Sequence, residues 1–259
     1  MTQSPVSLFW NQNVDNWKVA NHLESGSPEF FQEVERYRFD KLDYLDEAVD
    51  FAAQSGKTVL DVGCGLATDL SRFAKAGALT TGIDIAPRAV ELAQENFRQR
   101  GLPGDFVVMD GEAMEFADNS FDFVYCHTVL HFTQNPEKMV AEIHRVLKPG
   151  GKAIMMMINR RSWLYFMHRV AGMKIDYMDS PEFHTLDPHQ FADITSVFAE
   201  REVKLYRFPI KTEVHKGWKA FLYNTVFVGG YNALPQSLIG NTGYHMLAFA
   251  TKSASVDPT

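Results

Sequence analysis

The 259-residue chain has only two cysteines, Cys64 and Cys126, far apart and with no second pair. That scarcity argues against a disulfide framework and against a cysteine-built zinc site, and it makes a reduced, cytoplasmic setting the expectation. No apolar run reaches the length of a membrane span, and the longest, Ala153 to Ile158, has the size of a buried strand. The opening residues MTQSPVSLFWNQ lack the basic-then-apolar pattern of a secretory signal. Positive charge is not in excess either: 25 Lys and Arg stand against 32 Asp and Glu, a formal net charge of −7. Neutralising phosphates takes a basic face, so nucleic acid is not expected as the main partner, and neither is a membrane. Internal repeats and low-complexity stretches are missing as well. The 46% hydrophobic content suits one sizeable domain with a true core.

Residues 1–56 read as a helical arm packed on that core. Ser27 is placed to cap a helix that Pro28 begins, and Phe30, Val34, Tyr37, Leu45, Ala48 and Ala52 recur at helical spacing until Gly56. Upstream, SLFWNQNVDNW is aromatic and polar without a clear period and reads as an ordered arm or lid. Residues 57–158 alternate between short strands and helices. The strands are Thr58–Asp61, Leu79–Ile83, Phe106–Val108, Phe121–Cys126 and Lys152–Ile158; the helices are Ala67–Ala76, Pro87–Arg100 and Glu137–Leu147. Such alternation predicts an α/β fold, a doubly wound parallel sheet with helices on both faces that binds ligands beyond the carboxyl ends of its strands. Residues 159–186, rich in Met, aromatics and His, read as a short helix and loop inserted as a lid over the sheet edge. Residues 187–259 read as a helix capped by Asp187 and two alternating strands that pair at the end of the sheet.

The stretch TVLDVGCGLATDL carries the first chemical signal. Gly63 and Gly65 stand where a backbone turns sharply and approaches a ligand with no Cβ in the way. A pyrophosphate fingerprint needs a third glycine where this chain has Thr68. Asp61, at the end of the first strand, suits an ammonium group better than a phosphate. The second strand ends at Asp84, which can accept ribose hydroxyls. Next comes Asp110, followed by Gly111 and Glu112; a carboxylate there can accept from an exocyclic amine, with Met109 and Ile85 on either side of the ring. Strand-end aspartates can also cap the following helix. Three in series after a two-glycine turn favour a nucleoside ligand without phosphates.

VLDVGCGLATDL, GIDIAPRAVELAQ, DGEAMEFADNSFDFVYCHTVLHF and HRVLKPGGKAIM together resemble the successive motifs of the class I S-adenosylmethionine-dependent methyltransferases, over about Lys57 to Ile158. The resemblance implies a Rossmann-like seven-stranded sheet whose last strand is antiparallel, with S-adenosyl-L-methionine as cofactor. It implies that Asp61 and the Gly63–Gly65 turn serve the methionine portion, Asp84 the ribose, and Asp110 with Gly111 the adenine. Ala67 stands where many members have a glycine, and no N/D-P-P-Y run follows the fourth strand. The second departure argues against amino methylation of DNA bases or of protein glutamine.

A methyl donor that carries its own leaving group asks the protein to align a nucleophile, and asks for a base only when that nucleophile arrives protonated. His127, just after the fourth strand, is a candidate for both catalysis and cofactor contact. His131 lies four residues on, a spacing that also suits a metal, but a third ligand is not at hand and no metal is expected. In the arm, Arg38 can reach the methionine carboxylate and Tyr37 can close over the substrate. In the lid, Asn159, Asp176 and Tyr177 are candidate catalytic residues, and Arg161, Tyr165 and His184 candidate substrate contacts. Trp163, Phe166, Met167 and Val170 form a stripe that equally reads as helix packing. The leading expectation is methyl transfer to a small molecule by a monomer or homodimer. The alternatives are an intramolecular displacement that releases methylthioadenosine, and a cofactor-binding protein without catalysis.

Overall fold

The computed structural model describes residues 4–14, 17–171, 177–207 and 218–254. The arm begins with a helix, α1 (Pro5–Asn13), where the sequence suggested no regular period. Ser4 caps it by accepting from the Ser7 amide at 3.1 Å, and Pro5 sits where no N–H is needed. Ser27 and Pro28 open α2 (Pro28–Lys41) as predicted, but the helix stops at Leu42 instead of running to Gly56. A separate turn, α3 (Leu45–Ala48), follows. The break lets Leu42, Tyr44 and Leu45 all bury, which is more than one stripe of a continuous helix can place inward.

The core then alternates as β1 (Thr58–Val62), α4 (Thr68–Lys75), β2 (Leu79–Asp84), α5 (Pro87–Arg100), β3 (Asp105–Val108), β4 (Phe121–Cys126), α6 (Pro136–Val146) and β5 (Leu147–Ile158). After it come α7 (Trp163–Ala171), α8 (Pro188–Ile194) and β6 (Glu200–Tyr206). Asp187 caps α8 in a full capping box with Gln190. The β6–β7 connection carries helices the sequence did not announce: α9 (Trp218–Phe221), a π-helical stretch at Leu222–Val228, α10 (Gly229–Asn232) and α11 (Gln236–Ile239). The chain returns as β7 (His245–Thr251).

The seven strands form one sheet in the order β3-β2-β1-β4-β5-β7-β6. β1 to β5 run parallel, and β7 lies antiparallel between β5 and β6. Strand alternation splits the core between two faces. Leu60 and Val62 join Met155 and Met157 under α6 and α8, while Val59 joins Ile154 and Met156 under α4 and α5. The methionine run is therefore read through the sheet, one residue to each side. Because β7 is antiparallel, its first residue, His245, pairs with Ile158 at the carboxyl edge of the parallel strands. Among the described residues no helix is long and apolar enough to cross a membrane. Trp163 of α7 stacks on Phe227 at 5.5 Å, whereas Phe166 and Val170 on the same helix stay exposed, so the expected stripe packs only in part.

Candidate cofactor and substrate site

The turn after β1 is held by backbone bonds: the Gly63 and Cys64 amides both donate to the Ile83 carbonyl, at 2.8 and 2.9 Å. Gly63 has φ +70°, and a Cβ there would stand 2.4 Å from Val129 Cγ2. Gly65 has φ +53° and faces open space. One glycine is thus required by packing and backbone together, the other by its left-handed backbone alone. Gly111 lacks room for another reason: its Cβ would meet Met139 and Val62 within 2.8 Å.

Asp61 is buried at the tip of β1 and accepts no hydrogen bond from the described residues. Burial, with Asp69 and Asp84 adding repulsion, holds its carboxyl well above the usual range, against the pull of Arg38. Such a group calls for a cation. Asp84 accepts from the Gly65 amide at 3.0 Å and the Ala86 amide at 2.9 Å, so it fixes the turn and keeps lone pairs for hydroxyls. Burial raises its pKa despite those bonds. Asp110 is exposed at the end of β3 and accepts from the Glu112 amide at 2.9 Å. Glu112 itself turns away: its carboxylate accepts from the Gln134 and Asn135 amides at 2.7 and 3.0 Å and braces the entrance of α6. Ile85 and Met109 are both half-buried at this edge. The Met109 amide donates to the Asp84 carbonyl at 3.0 Å, so the two strand tips stay together.

α1 closes over this edge. Ser7 Oγ donates to the Ile85 carbonyl at 2.8 Å, and Asn11 Oδ1 accepts from the Arg88 amide at 2.9 Å. Trp10 packs edge-on to Phe132 at 4.8 Å and against Tyr177 at 5.1 Å. The arm therefore bridges the β2 tip, the turn after β4 and the lid.

Between β4 and β7 lies a polar chain that the sequence did not reveal. Arg38 forms a two-pronged ion pair with the buried carboxylate of Asp69, which also accepts from Tyr125 Oη at 2.8 Å. Arg38 Nη2 donates to His127 Nδ1 at 3.2 Å. Thr128 Oγ1 lies 2.6 Å from the same nitrogen, and Thr128 adopts φ +68°, a strained backbone for a β-branched residue. His127 Nε2 is 3.0 Å from Tyr44 Oη, which is 2.6 Å from His245 Nδ1; Arg207 reaches His245 Nε2 at 3.3 Å. Both arginines can only donate, and Tyr44 between them has a single hydroxyl proton. Burial wins over their charge at Tyr44, whose phenol is pushed up. It pushes the imidazoles down, His127 to about 3 and His245 well below its usual value.

Arg38 is thus engaged by Asp69 and His127, and His127 is a buried link of the chain. Asn159 is fully buried; its Nδ2 donates to the Asn241 and Gly243 carbonyls at 3.1 and 2.8 Å, and its Oδ1 accepts from the Arg161 amide. It clamps the lid to the β7 approach. Arg161 is largely solvent-facing and pairs with Asp187 at 3.1 Å, so it does not point at the strand tips. Tyr37 accepts from Lys41 at 2.7 Å on the outer side of α2, and Tyr165 sits on α7 beside His168. His131 and His184 are brought together, the His184 amide donating to the His131 carbonyl at 2.7 Å. Tyr177 joins the arm, while Asp176 lies outside the described residues.

Residues 60–155 match the family described as "Methyltransferase domain". An uncharacterised protein of Methanocaldococcus jannaschii is 36% identical over 124 residues, covering 48% of this chain and 56% of that one. A ubiquinone biosynthesis O-methyltransferase of Coxiella burnetii is 31% identical over 127 residues, covering 48% and 53%. The chain spans about half the length of these curated relatives. A Thermotoga maritima structure, described as an S-adenosylmethionine-dependent methyltransferase and possible histamine N-methyltransferase, superposes with TM-score 0.61 at 18% identity. The superposition covers 96% of this chain and 100% of that one, and shows the shared fold.

Proposed function

We propose, from the premise that the domain at residues 60–155 belongs to the class I S-adenosylmethionine-dependent methyltransferase family, that the whole chain moves a methyl group from S-adenosylmethionine to a hydroxyl of a small molecule. The observation that carries this reading is Asp61, a buried carboxylate with no hydrogen-bond donor of its own beside an open glycine cradle. A buried carboxyl without a hydrogen-bond donor is costly to ionise, and an amino-acid ammonium supplies what it lacks.

When bound, the cofactor supplies a sulfonium methyl group with a neutral thioether leaving group. Asp61 takes the ammonium, and Gly65 leaves room for the backbone to approach. Asp84 offers its remaining lone pairs to the ribose hydroxyls, and Asp110 accepts from the adenine amine. Ile85 and Met109 flank the ring, and α1 keeps water out from above. Arg38 neutralises Asp69 and keeps positive charge beside Asp61. The choice of oxygen as acceptor leans on the Coxiella burnetii relative, whose name specifies an O-methyltransferase.

Isothermal titration with S-adenosylmethionine and identification of the products test the proposal. S-adenosylhomocysteine, a methylated alcohol or phenol and one proton released from the acceptor hydroxyl to solvent are the expected outcome. Methylthioadenosine would establish the intramolecular displacement instead, and no binding at all would remove the cofactor reading.

A further inference from the structure

Between α7 and the helices inserted before β7 lies a recess of about 400 Å³. Trp163 and Met167 of α7 form one side of it, and Val226, Phe227, Tyr231 and Leu234 form the other. Trp163 lies 5.5 Å from Phe227 with 8° between the ring planes, and Tyr231 follows at 6.2 Å. Both sides are tied to the same point of the sheet. The Trp163 amide donates to the Thr242 carbonyl at 3.3 Å, and Tyr231 Oη lies 2.6 Å from Thr242 Oγ1. Thr242 leads into β7, whose first residue, His245, pairs with Ile158 at the carboxyl end of β5. The recess is therefore anchored at the strand edge that the cofactor reading uses.

Its surface offers carbon. The Tyr231 hydroxyl is engaged by Thr242, and Trp163 Nε1 is out of the reach of solvent, so Trp163 presents ring carbon to the space. Val226 and Leu234 are exposed, which leaves apolar surface facing water. Gly230 is an independent observation. It also lines the recess, and it lies in the continuous helical run formed by the π-helical stretch and α10. Glycine weakens a helix relative to alanine, so its presence there asks for a reason. Neither backbone nor packing supplies one: its φ is not positive, and a Cβ built on it would meet nothing within 4 Å. What the missing side chain leaves is room. The π-helical turn next to it, a rare geometry that recurs at functional sites, carries Val226 and Phe227 to the recess. A concave space of this size suits a small apolar group, and the flat face of a bilayer would leave it unfilled.

We infer that the recess between α7 and the π-helical stretch binds the hydrocarbon chain of the substrate, a hydroxylated amphiphile whose head is methylated at the strand edge. The inference rests on the methyltransferase reading and deepens it by naming the substrate class. A hydrocarbon chain gains with every methylene it takes out of water, whereas a polar or charged tail would lose its hydration and find no partner there. Met167, unbranched and pliable, adjusts to chains of different shape. Gly230 acts as a specificity position through the space it leaves open.

The test uses 4-ethylphenol, 4-butylphenol and 4-hexylphenol as probes, titrated calorimetrically into the full chain saturated with S-adenosylhomocysteine and again into the free chain. Affinity should rise about threefold for each added methylene. Gly230→Leu should fill the recess, weaken 4-hexylphenol about tenfold or more, and bring the three probes close together in affinity, with the melting temperature unchanged or higher. Leu234→Gln, a change at an exposed position, should weaken 4-hexylphenol about threefold and keeps the test open if the first variant fails to fold. Both variants should bind S-adenosylhomocysteine within about twofold of the parent. With S-adenosylmethionine, the parent should methylate 4-hexylphenol with a KM about tenfold or more below that of 4-ethylphenol, an advantage lost in Gly230→Leu. Affinity that ignores chain length in the parent, or a dependence that survives Gly230→Leu, overturns the subsite. A parent dimer that Gly230→Leu converts to monomer in sedimentation overturns it too, assigning the recess to a second copy. Chain-dependent binding without the lower KM overturns the substrate class. Failure of the parent to bind S-adenosylhomocysteine would overturn the cofactor reading itself, and the titration of the free chain reads the recess separately.

Discussion

Tyr44 and His245 meet through a 2.6 Å contact between the phenol oxygen and Nδ1, although 201 residues separate them. Tyr44 comes from the break after α2, and His245 is the first residue of β7. His127, at the tip of β4, touches the same phenol from the other side at 3.0 Å. One hydroxyl therefore ties the arm, the parallel half of the sheet and its antiparallel edge.

Removing that hydroxyl leaves two buried imidazole nitrogens facing a ring edge. Tyr44→Phe should lose about 1–3 kcal/mol of stability, the cost of stranding buried polar groups. Urea denaturation followed by circular dichroism measures it. A loss near zero would mean that the phenol carries no net interaction.

The Arg38–Asp69 pair makes a sharper prediction. Arg38→Met leaves the buried Asp69 carboxylate with Tyr125 as its one donor among the described residues, and should cost about 3–5 kcal/mol. Adding Asp69→Asn should recover much of that loss, because the stranded charge is gone. A double-mutant cycle in denaturant decides; simple additivity of the two single losses would refute the coupling.

Acid should destabilise the fold through its buried histidines. His127 and His131 have folded pKa values lowered to about 3, against about 6.5 in the unfolded chain. Below pH 6.5 the unfolded state takes up protons that the folded state refuses. Each histidine then removes about 1.4 kcal/mol per pH unit until the folded pKa is reached. His245 has the same sign. Asp61 and Asp84, raised by burial, oppose the trend near the carboxylate range. Stability measured from pH 8 to 5 should be flat above 7 and fall below 6.5. His131→Phe should reduce the slope by one proton.

Two glycines separate packing from binding. Gly63→Ala places a Cβ 2.4 Å from Val129 Cγ2 on a left-handed backbone and should cost about 2–4 kcal/mol. Gly65→Ala meets open space and should cost about 1 kcal/mol in the free protein, yet weaken S-adenosylmethionine binding at least tenfold. Asp61→Asn should raise the melting temperature of the free protein while also weakening cofactor binding. Calorimetry with and without S-adenosylmethionine checks all three.

The proposed cofactor edge could be named from the sequence because its signals are local. Asp61, Gly63 and Gly65 sit within five residues, and the strand tips carrying Asp84 and Asp110 declare themselves by short apolar runs. The Tyr44–His127–His245 chain was not legible, because its members lie on three elements far apart in sequence and each alone reads as a packed aromatic or histidine. The backbone partners of Asn159, Asn241 and Gly243, were hidden for a similar reason, since they stand 82 and 84 residues further on. The split of α2 from α3 came from tertiary burial of Tyr44, which helical periodicity cannot anticipate. His131 and His184 were named separately, and the fold supplied what pairs them.

The position of β7 also sets the order in which this protein can be made. Among the described residues β6 has no strand neighbour except β7, which lies between it and β5. During synthesis the parallel half can form while β6 waits unpaired beside it. The last strand to emerge zips both sides at once and delivers His245 to Tyr44. Until residue 245 is in place, the phenol of Tyr44 has His127 but not His245 to bond, so the link from the break after α2 to the antiparallel edge is the last part of the polar chain to close.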